Sequence, residues 1–187
     1  MGQTAYKLHP TLWRTCRIIA CETRLSILWS LFENHESCVI EAAGETATSA
    51  NNATTQLRAL NARGLIAFRR EKMRVIYRPE ANHAVDNAPE LLNALKKCYK
   101  QSMSFEVIIR QATAFTHERR IEIVRALNHS KQTFGDLRDS TGMSSSSLSR
   151  HVGKLEARGF VTLTNGVYSL SCPNNSLGKV LLKIARS

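Results

Sequence analysis

The 187 residues, 43% of them apolar, suffice for one ordinary domain or two small ones with a packed core. No apolar run approaches the ~18 residues of a membrane span, no signal-peptide core opens the chain, and Tyr6 behind Met1-Gly2-Gln3 stands where a myristoylation signal has Ser or Thr. The formal charge of +11 is uneven, and it points to a polyanionic partner, nucleic acid ahead of an anionic membrane surface.

Residues 1–96 carry 12 Lys and Arg against 9 acids, a net of +3; residues 97–187 carry 14 against 6, a net of +8. The five cysteines (Cys16, Cys21, Cys38, Cys98, Cys172) are odd in number, widely spaced and without a CxxC pair. That pattern argues against a disulfide framework and a zinc ribbon, and for reduced thiols that mostly fill core. The expected location is the cytoplasm.

The elements repeat along the chain. A leading helix over about 11–20 runs into an amphipathic helix over 22–33, then a short helix over 37–43 and a second helix over 50–63. Gly64 follows as a left-handed cap. Strands "LIAFR" and "RVIYR" come next, around Arg70-Glu71-Lys72-Met73, which reads as a longer, more open loop. The stretch 80–89 is a connector, and a closing helix runs from Pro89 to Gln101.

The same succession returns at 105–115, 117–128, 133–139 and 145–158, capped by Gly159. Strands "FVTLT" and "VYSLS" then flank Asn165-Gly166, a type I′ hairpin signal, and a helix over Leu177 to Ala185 closes the chain. Sliding one half on the other by 96 residues pairs Arg24 with Arg120, Leu25 with Ile121, Ile27 with Ile123, Leu28 with Val124 and Leu31 with Leu127. At an offset of 95, "LNARGLI" falls on "LEARGFV". The expected organisation is therefore a duplicated unit of about 95 residues, covering 1–101 and 102–187. The expected fold is mainly α with small β-hairpin wings: two tandem winged helix-turn-helix domains.

In such a unit the second helix enters the DNA major groove with its N-terminal end first. Leu148, Val152 and Leu155 mark the buried stripe of the helix over 145–158. The other face carries Ser146, Arg150 and Gly153, flanked by Ser145, Ser147, Ser149 and Lys154, with Ser144 as N-cap. Short hydroxyls near a helix N-terminus let backbone approach phosphates and base edges closely, and the helix dipole favours anions there. Arg150 can meet guanine O6 and N7 bidentately, whereas Lys154 suits a phosphate. His151 lies nearer the buried edge, where packing and base reading are both open.

The sequence "MSSSSLSRHVGKLEARGFV", with "ERRIEIVRAL" upstream, resembles the ArsR-type bacterial winged-helix transcriptional repressors over about 117–170. The resemblance places Ser149, Arg150 and His151 in the DNA-facing segment. It implies a dimeric repressor whose leading and closing helices form the dimer interface. Here both sets of helices lie in one chain, which implies a monomer acting as an intramolecular pseudo-dimer about a pseudo-twofold axis, associated with the nucleoid. Metal sensing is not implied, because Cys38 stands alone and "FGDLRD" holds no cysteine. Neither closing helix carries an Asp/His/Glu set.

In the first copy "SANNATTQLRALNARGLI" is looser: Asn51, Asn52, Thr54, Thr55 and Arg58 are its candidate DNA contacts, with Thr54, Thr55 and Gln56 in place of Ser, Arg and His. Its hairpin holds Arg69, Arg70, Lys72, Arg74 and Arg78, a candidate phosphate clamp, while the second hairpin has no positive charge. Arg63 and Arg158, beside the capping glycines, read as structural.

The expected function is sequence-specific binding of double-stranded DNA by a transcriptional regulator, without cofactor or metal, under a small-molecule or redox effector that the sequence leaves unidentified. The alternative is a tandem winged-helix scaffold for protein interaction or chromosome architecture, which would show an apolar patch on the recognition face. An enzyme is not expected: no nucleophile–base pair, Gly-rich phosphate loop or paired carboxylates stand out.

Overall fold

A computed structural model describes residues 11–187; residues 1–10, on which the myristoylation and signal-peptide readings fell, lie outside the described residues. The first half runs α1 (Leu12–Ile19), α2 (Glu22–Asn34), β1 (Ser37–Cys38), α3 (Val39–Glu45), α4 (Ala50–Asn61), β2 (Ala67–Glu71), β3 (Arg74–Arg78) and α5 (Ala88–Lys100). The second runs α6 (Phe105–Ala114), α7 (Glu118–His129), β4 (Gln132–Thr133), α8 (Phe134–Thr141), α9 (Ser145–Ala157), β5 (Val161–Thr164), β6 (Val167–Leu170) and α10 (Ser176–Arg186). The described residues are mainly helical, with two small antiparallel sheets, as winged helix-turn-helix proteins are. None of the described helices is long and apolar enough to cross a membrane.

Each sheet has three strands, ordered β1-β3-β2 and β4-β6-β5. Strands β1 and β4 correct the expected starts of the short helices at 37 and 133, since α3 and α8 begin only at Val39 and Phe134. Two residues cannot display a period of two. Their pairing is with strands some 35–40 positions on, Ser37 with Tyr77 and Gln132 with Tyr168. Thr133 then serves as both strand end and N-cap: its Oγ1 accepts from the Asp136 backbone N–H at 3.3 Å, and its own N–H donates to Asp136 Oδ2 at 3.0 Å. The Thr133 hydroxyl, which donates to Asp136 Oδ2 at 2.7 Å, and then the Thr133 N–H hold the Asp136 carboxyl below its usual range.

The first hairpin also differs from expectation. Glu71 pairs with Arg74, so the loop is a tight two-residue turn over Lys72-Met73 rather than an open one. Lys72 takes the left-handed conformation at φ +53°, unusual for a long side chain. In the second hairpin Asn165 and Gly166 both have positive φ, 52° and 77°, as a type I′ turn requires.

Helices α4 and α9 end alike. Gly64 and Gly159 adopt φ +67° and +80°, and the N–H groups of Leu65 and Phe160 reach back to the carbonyls of Leu60 and Leu155 at 3.2 and 3.0 Å. Gly64 is doubly constrained, because a Cβ there would sit 2.8 Å from Val85 Cβ. The connector is thus docked: Val85 is buried, and the Asn82 N–H donates to the Gly64 carbonyl at 2.9 Å.

The amphipathic helices bury Leu25, Ile27, Leu28 and Leu31 on α2 and Ile121, Ile123, Val124 and Leu127 on α7, the residues aligned by the repeat. Helix α1 packs on α6, and α5 packs on α10. Leu91, Leu95 and Cys98 of α5 are buried with Leu177, Leu181 and Leu182 of α10, and the apolar cluster they join includes core residues of both halves. Each such leucine contributes about 1.5–3 kcal/mol on burial. At the rim Lys183 Nζ meets Glu90 Oε1 at 2.6 Å, and Arg17 Nε donates to the Thr116 carbonyl at 3.2 Å. Cys16, Cys38 and Cys98 are buried, Cys21 is half-buried and Cys172 is exposed; all five are unpaired. Burial pushes the Cys16 thiol far above its ordinary range.

Candidate nucleic-acid interface

Helix α9 starts where Ser144 Oγ accepts the Ser147 N–H at 3.3 Å, the expected N-cap. Leu148, Val152 and Leu155 are buried, which seats the helix on α7, α8 and β5 and fixes its outward face. On that face Ser145, Ser146, Ser149, Arg150, Gly153 and Lys154 are exposed, and Ser147 is half-buried. Ser146 Oγ lies 3.3 Å from Ser144 Oγ. Among the described residues the side chains of Ser145, Ser149, Arg150 and Lys154 form no hydrogen bond or ion pair. Ser145, at the positive end of the helix dipole, is thereby left open to an anion, and Ser149, Arg150 and Lys154 continue the row of donors along the helix.

Gly153 adds to this. In mid-helix, glycine costs about 1 kcal/mol relative to alanine. A Cβ at Gly153 would meet nothing within 4 Å, so the chain's own packing does not require it.

His151 departs from the set. It is 4% exposed, with its ring centroid 4.5 Å from that of His117, the N-cap residue of α7. Burial, then the neighbouring His117, Arg120, Arg150 and Lys154, push its pKa down to about 4. The structure therefore places His151 in the seam beneath the recognition helix, not on the face that carries Arg150. Leu155, four positions on, is buried on the same side. Arg158 has a structural setting: Nε donates to Thr113 Oγ1 at 2.8 Å and Nη1 to the Lys154 carbonyl at 3.2 Å.

Helix α4 is arranged differently. Asn51, Asn52, Thr55 and Arg58 are exposed and Thr54 is half-buried. Much of this surface is committed internally. Thr54 and Thr55 hydroxyls donate to the carbonyls of Ala50 and Asn51 at 2.8 and 3.0 Å. Asn52 Nδ2 donates to Thr48 Oγ1 at 2.6 Å, and Gln56 Nε2 donates to Asn52 Oδ1 at 2.7 Å. Gln56 Oε1 in turn accepts from Arg24 Nη1 at 2.7 Å.

The first hairpin presents Arg70, Lys72 and Arg74 to solvent, with Met73 fully exposed between them. Arg69 is not free. Its Nη1 and Nη2 meet Glu36 Oε2 and Oε1 at 2.5 and 3.1 Å, and its Nε donates to Glu71 Oε1 at 2.9 Å. These bonds raise the guanidinium's pKa and lower that of Glu36. Register explains the trap. Cys38 pairs with Ile76 and Ile76 with Arg69, so Glu36, two residues before Cys38, shares their sheet face. Nothing in the local sequence around Arg69 announces a carboxylate 33 positions earlier. Arg78 is paired with Glu80 at 2.6 Å. The second hairpin carries no cation.

A capped, buried-stripe recognition helix over a three-stranded wing defines a winged helix-turn-helix protein. The profile of the bacterial regulatory protein, arsR family, matches residues 117–162, from the start of α7 through α9 into β5. That segment is similar to the helix-turn-helix of this family, which supports a DNA-binding regulator. No curated protein matches the chain. Among the described residues no group of three or more His, Cys, Asp or Glu side chains gathers as metal ligands would.

Proposed function

We propose that this chain is a sequence-specific repressor that engages two unlike half-sites on duplex DNA as an intramolecular pseudo-dimer, two tandem winged helix-turn-helix units within a nucleoid-associated cytoplasmic protein. The observation that carries the DNA reading is the outward face of α9. Ser145, Ser149, Arg150 and Lys154 stand exposed and unbonded beside a glycine that the fold does not need. Arg150 reads a base edge; the serines and Lys154 hold phosphate and backbone.

The pseudo-dimer reading rests on the recurrence of one element order and on the packing of α1 with α6 and α5 with α10. Joining two units in one chain replaces a concentration-dependent association with an intramolecular one. It also lets the units diverge. The second supplies the open recognition helix; the first supplies Arg70, Lys72 and Arg74 on its wing. Two recognition helices about one helical turn apart would meet successive major grooves.

The scaffold reading has one support, the exposed Ile40 and Met73 beside Cys38, Val39 and Val75 between α3 and the first wing. Neither α4 nor α9 carries an exposed large apolar side chain. That favours nucleic acid on the recognition faces. Selection of bound duplexes from a random pool at stated salt, followed by footprinting, tests the proposal. An asymmetric site spanning two adjacent major grooves is the expected result; no enriched duplex would defeat it.

A further inference from the structure

Arg24 and Arg120 hold aligned places near the starts of α2 and α7, and Gln56 and His151 hold aligned places on α4 and α9. In the first half the two helices are joined through this pair. Arg24 Nη1 donates to Gln56 Oε1 at 2.7 Å, while its Nε and Nη2 hold the carbonyls of Ile18 and Arg17 at 2.6 and 3.0 Å. In the second half the amide is replaced by a group that titrates.

Arg120 is 4% exposed, and Nη2 donates to Thr116 Oγ1 at 2.6 Å. Its buried Nε and the buried Nδ1 of His151 are both without a partner. Burial lowers the Arg120 pKa to about 10, but a guanidinium stays charged at neutral pH and below, so of this pair only the imidazole can change charge. Neutral His151 keeps a lone pair that a donor can use. Protonated His151 is a second cation buried beside the first, where unpaired charge is costly.

Among the described residues no carboxylate bears on that charge. The groups that bear on His151 are His117 and Arg120 from α7 and its cap, with Arg150 and Lys154 from its own helix, and none is a carboxylate. Glu118, Arg125 and His129 of α7 and Glu156 of α9 are not among those groups, and five further charges on the packed elements are engaged elsewhere. Arg119 pairs with Glu122 at 2.9 Å, Asp139 with Arg138 at 2.9 Å, and Asp136 caps α8. Strand β5 has no titratable side chain.

We propose that His151 and Arg120 are positioning residues for the recognition helix: neutral His151 seats α9 on α7, and its protonation releases that seat, while the Arg24–Gln56 link holds α4 at every pH. The consequence for binding rests on the DNA reading above; the seat itself does not.

The sign follows from the depressed pKa of about 4 in the folded chain against about 6.5 for a free histidine. Above about pH 6.5 seated and released forms are both neutral, and protons favour neither. Between there and about pH 4 only the released form is charged, so acid drives release. The opening equilibrium of α9 should rise about 20-fold from pH 7 to pH 5. Specific DNA binding should weaken over the same window. Added positive charge acting alone would instead tighten it.

The test uses the full chain, wild type and His151→Gln, which installs the first half's residue. Amide exchange over Ser145–Ala157 and Ala50–Asn61, corrected for intrinsic rates, is followed from pH 7 to pH 5. NMR titration of the wild-type imidazole needs no variant to fold. Expected are acid-accelerated exchange in α9 but not α4, loss of that response in His151→Gln, and a His151 pKa well below that of a free histidine. Titration near 6.5, an equal response in both helices, or an unchanged response in His151→Gln would each overturn the proposal. Affinity for a duplex selected from a random pool should fall in acid for the wild type and hold in His151→Gln; equal behaviour would overturn the link to binding. If no duplex is enriched, the DNA reading fails while exchange and titration still decide the seat.

Discussion

The first wing gives the sharpest quantitative expectation. Arg70, Lys72 and Arg74 are exposed, whereas Arg69 is held by Glu36 and Glu71. Arg78 is likewise paired with Glu80, so the clamp counts three cations, not the five that the sequence alone supplies. Each phosphate contact contributes about 0.9 to the slope of log K against log salt, so replacing the three by Gln should flatten that slope by about 2.7. The same change amounts to about 500-fold weaker binding at 0.1 M salt and vanishes near 1 M. Anisotropy titration of a labelled duplex at four or five salt concentrations measures it, and random and selected duplexes should weaken alike. Adding Arg69→Gln should flatten the slope no further. An unchanged slope in the triple variant would mean the wing points away from DNA. A fall of about 3.6 in the quadruple variant would mean DNA draws Arg69 out of its ion pairs, refuting the count.

Arg150→Ala should cost about 1–3 kcal/mol of specific binding, leave non-specific binding nearly intact and leave the urea midpoint unchanged. Equal loss on random DNA would demote Arg150 to a phosphate contact. Gly153→Ala should stabilise the free protein by about 0.5–1 kcal/mol in urea unfolding, since open space surrounds the new Cβ, yet weaken DNA binding by crowding the groove. Unchanged affinity would show that DNA does not approach there. Sedimentation of the free protein should give a monomer of 20.9 kDa, and an obligate dimer of chains would remove the pseudo-dimer reading.

Local chemistry made much of the architecture legible. The apolar spacing of Leu148, Val152 and Leu155 forces one helix face inward whatever it packs on, and the buried stripes of α2 and α7 follow the same rule. Gly64 and Gly159 end their helices because glycine enters the left-handed region without strain, and Asn165-Gly166 turns the second hairpin because asparagine tolerates that region as well. Ser144 caps because its hydroxyl lies three residues from an orphan N–H. All of these are decided within about eight residues of chain.

Long-range pairing decided the rest. Strands β1 and β4 are two residues each and exist only because β3 and β6 return beside them. The register that returns them also brings Glu36 onto Arg69 and takes a cation out of the clamp. Lys72-Met73 became a tight turn because strand pairing extends through Glu71 and Arg74, overriding the poor fit of lysine to positive φ. His151 sits one position from an exposed arginine and differs from it in accessibility by the roll of one helix against another. Periodicity could place it at the edge of the buried stripe. Only the packing of α9 on α7, with His117 and Arg120 beneath, set it inside, because a side chain at the rim is buried or exposed by what the neighbouring helix puts there.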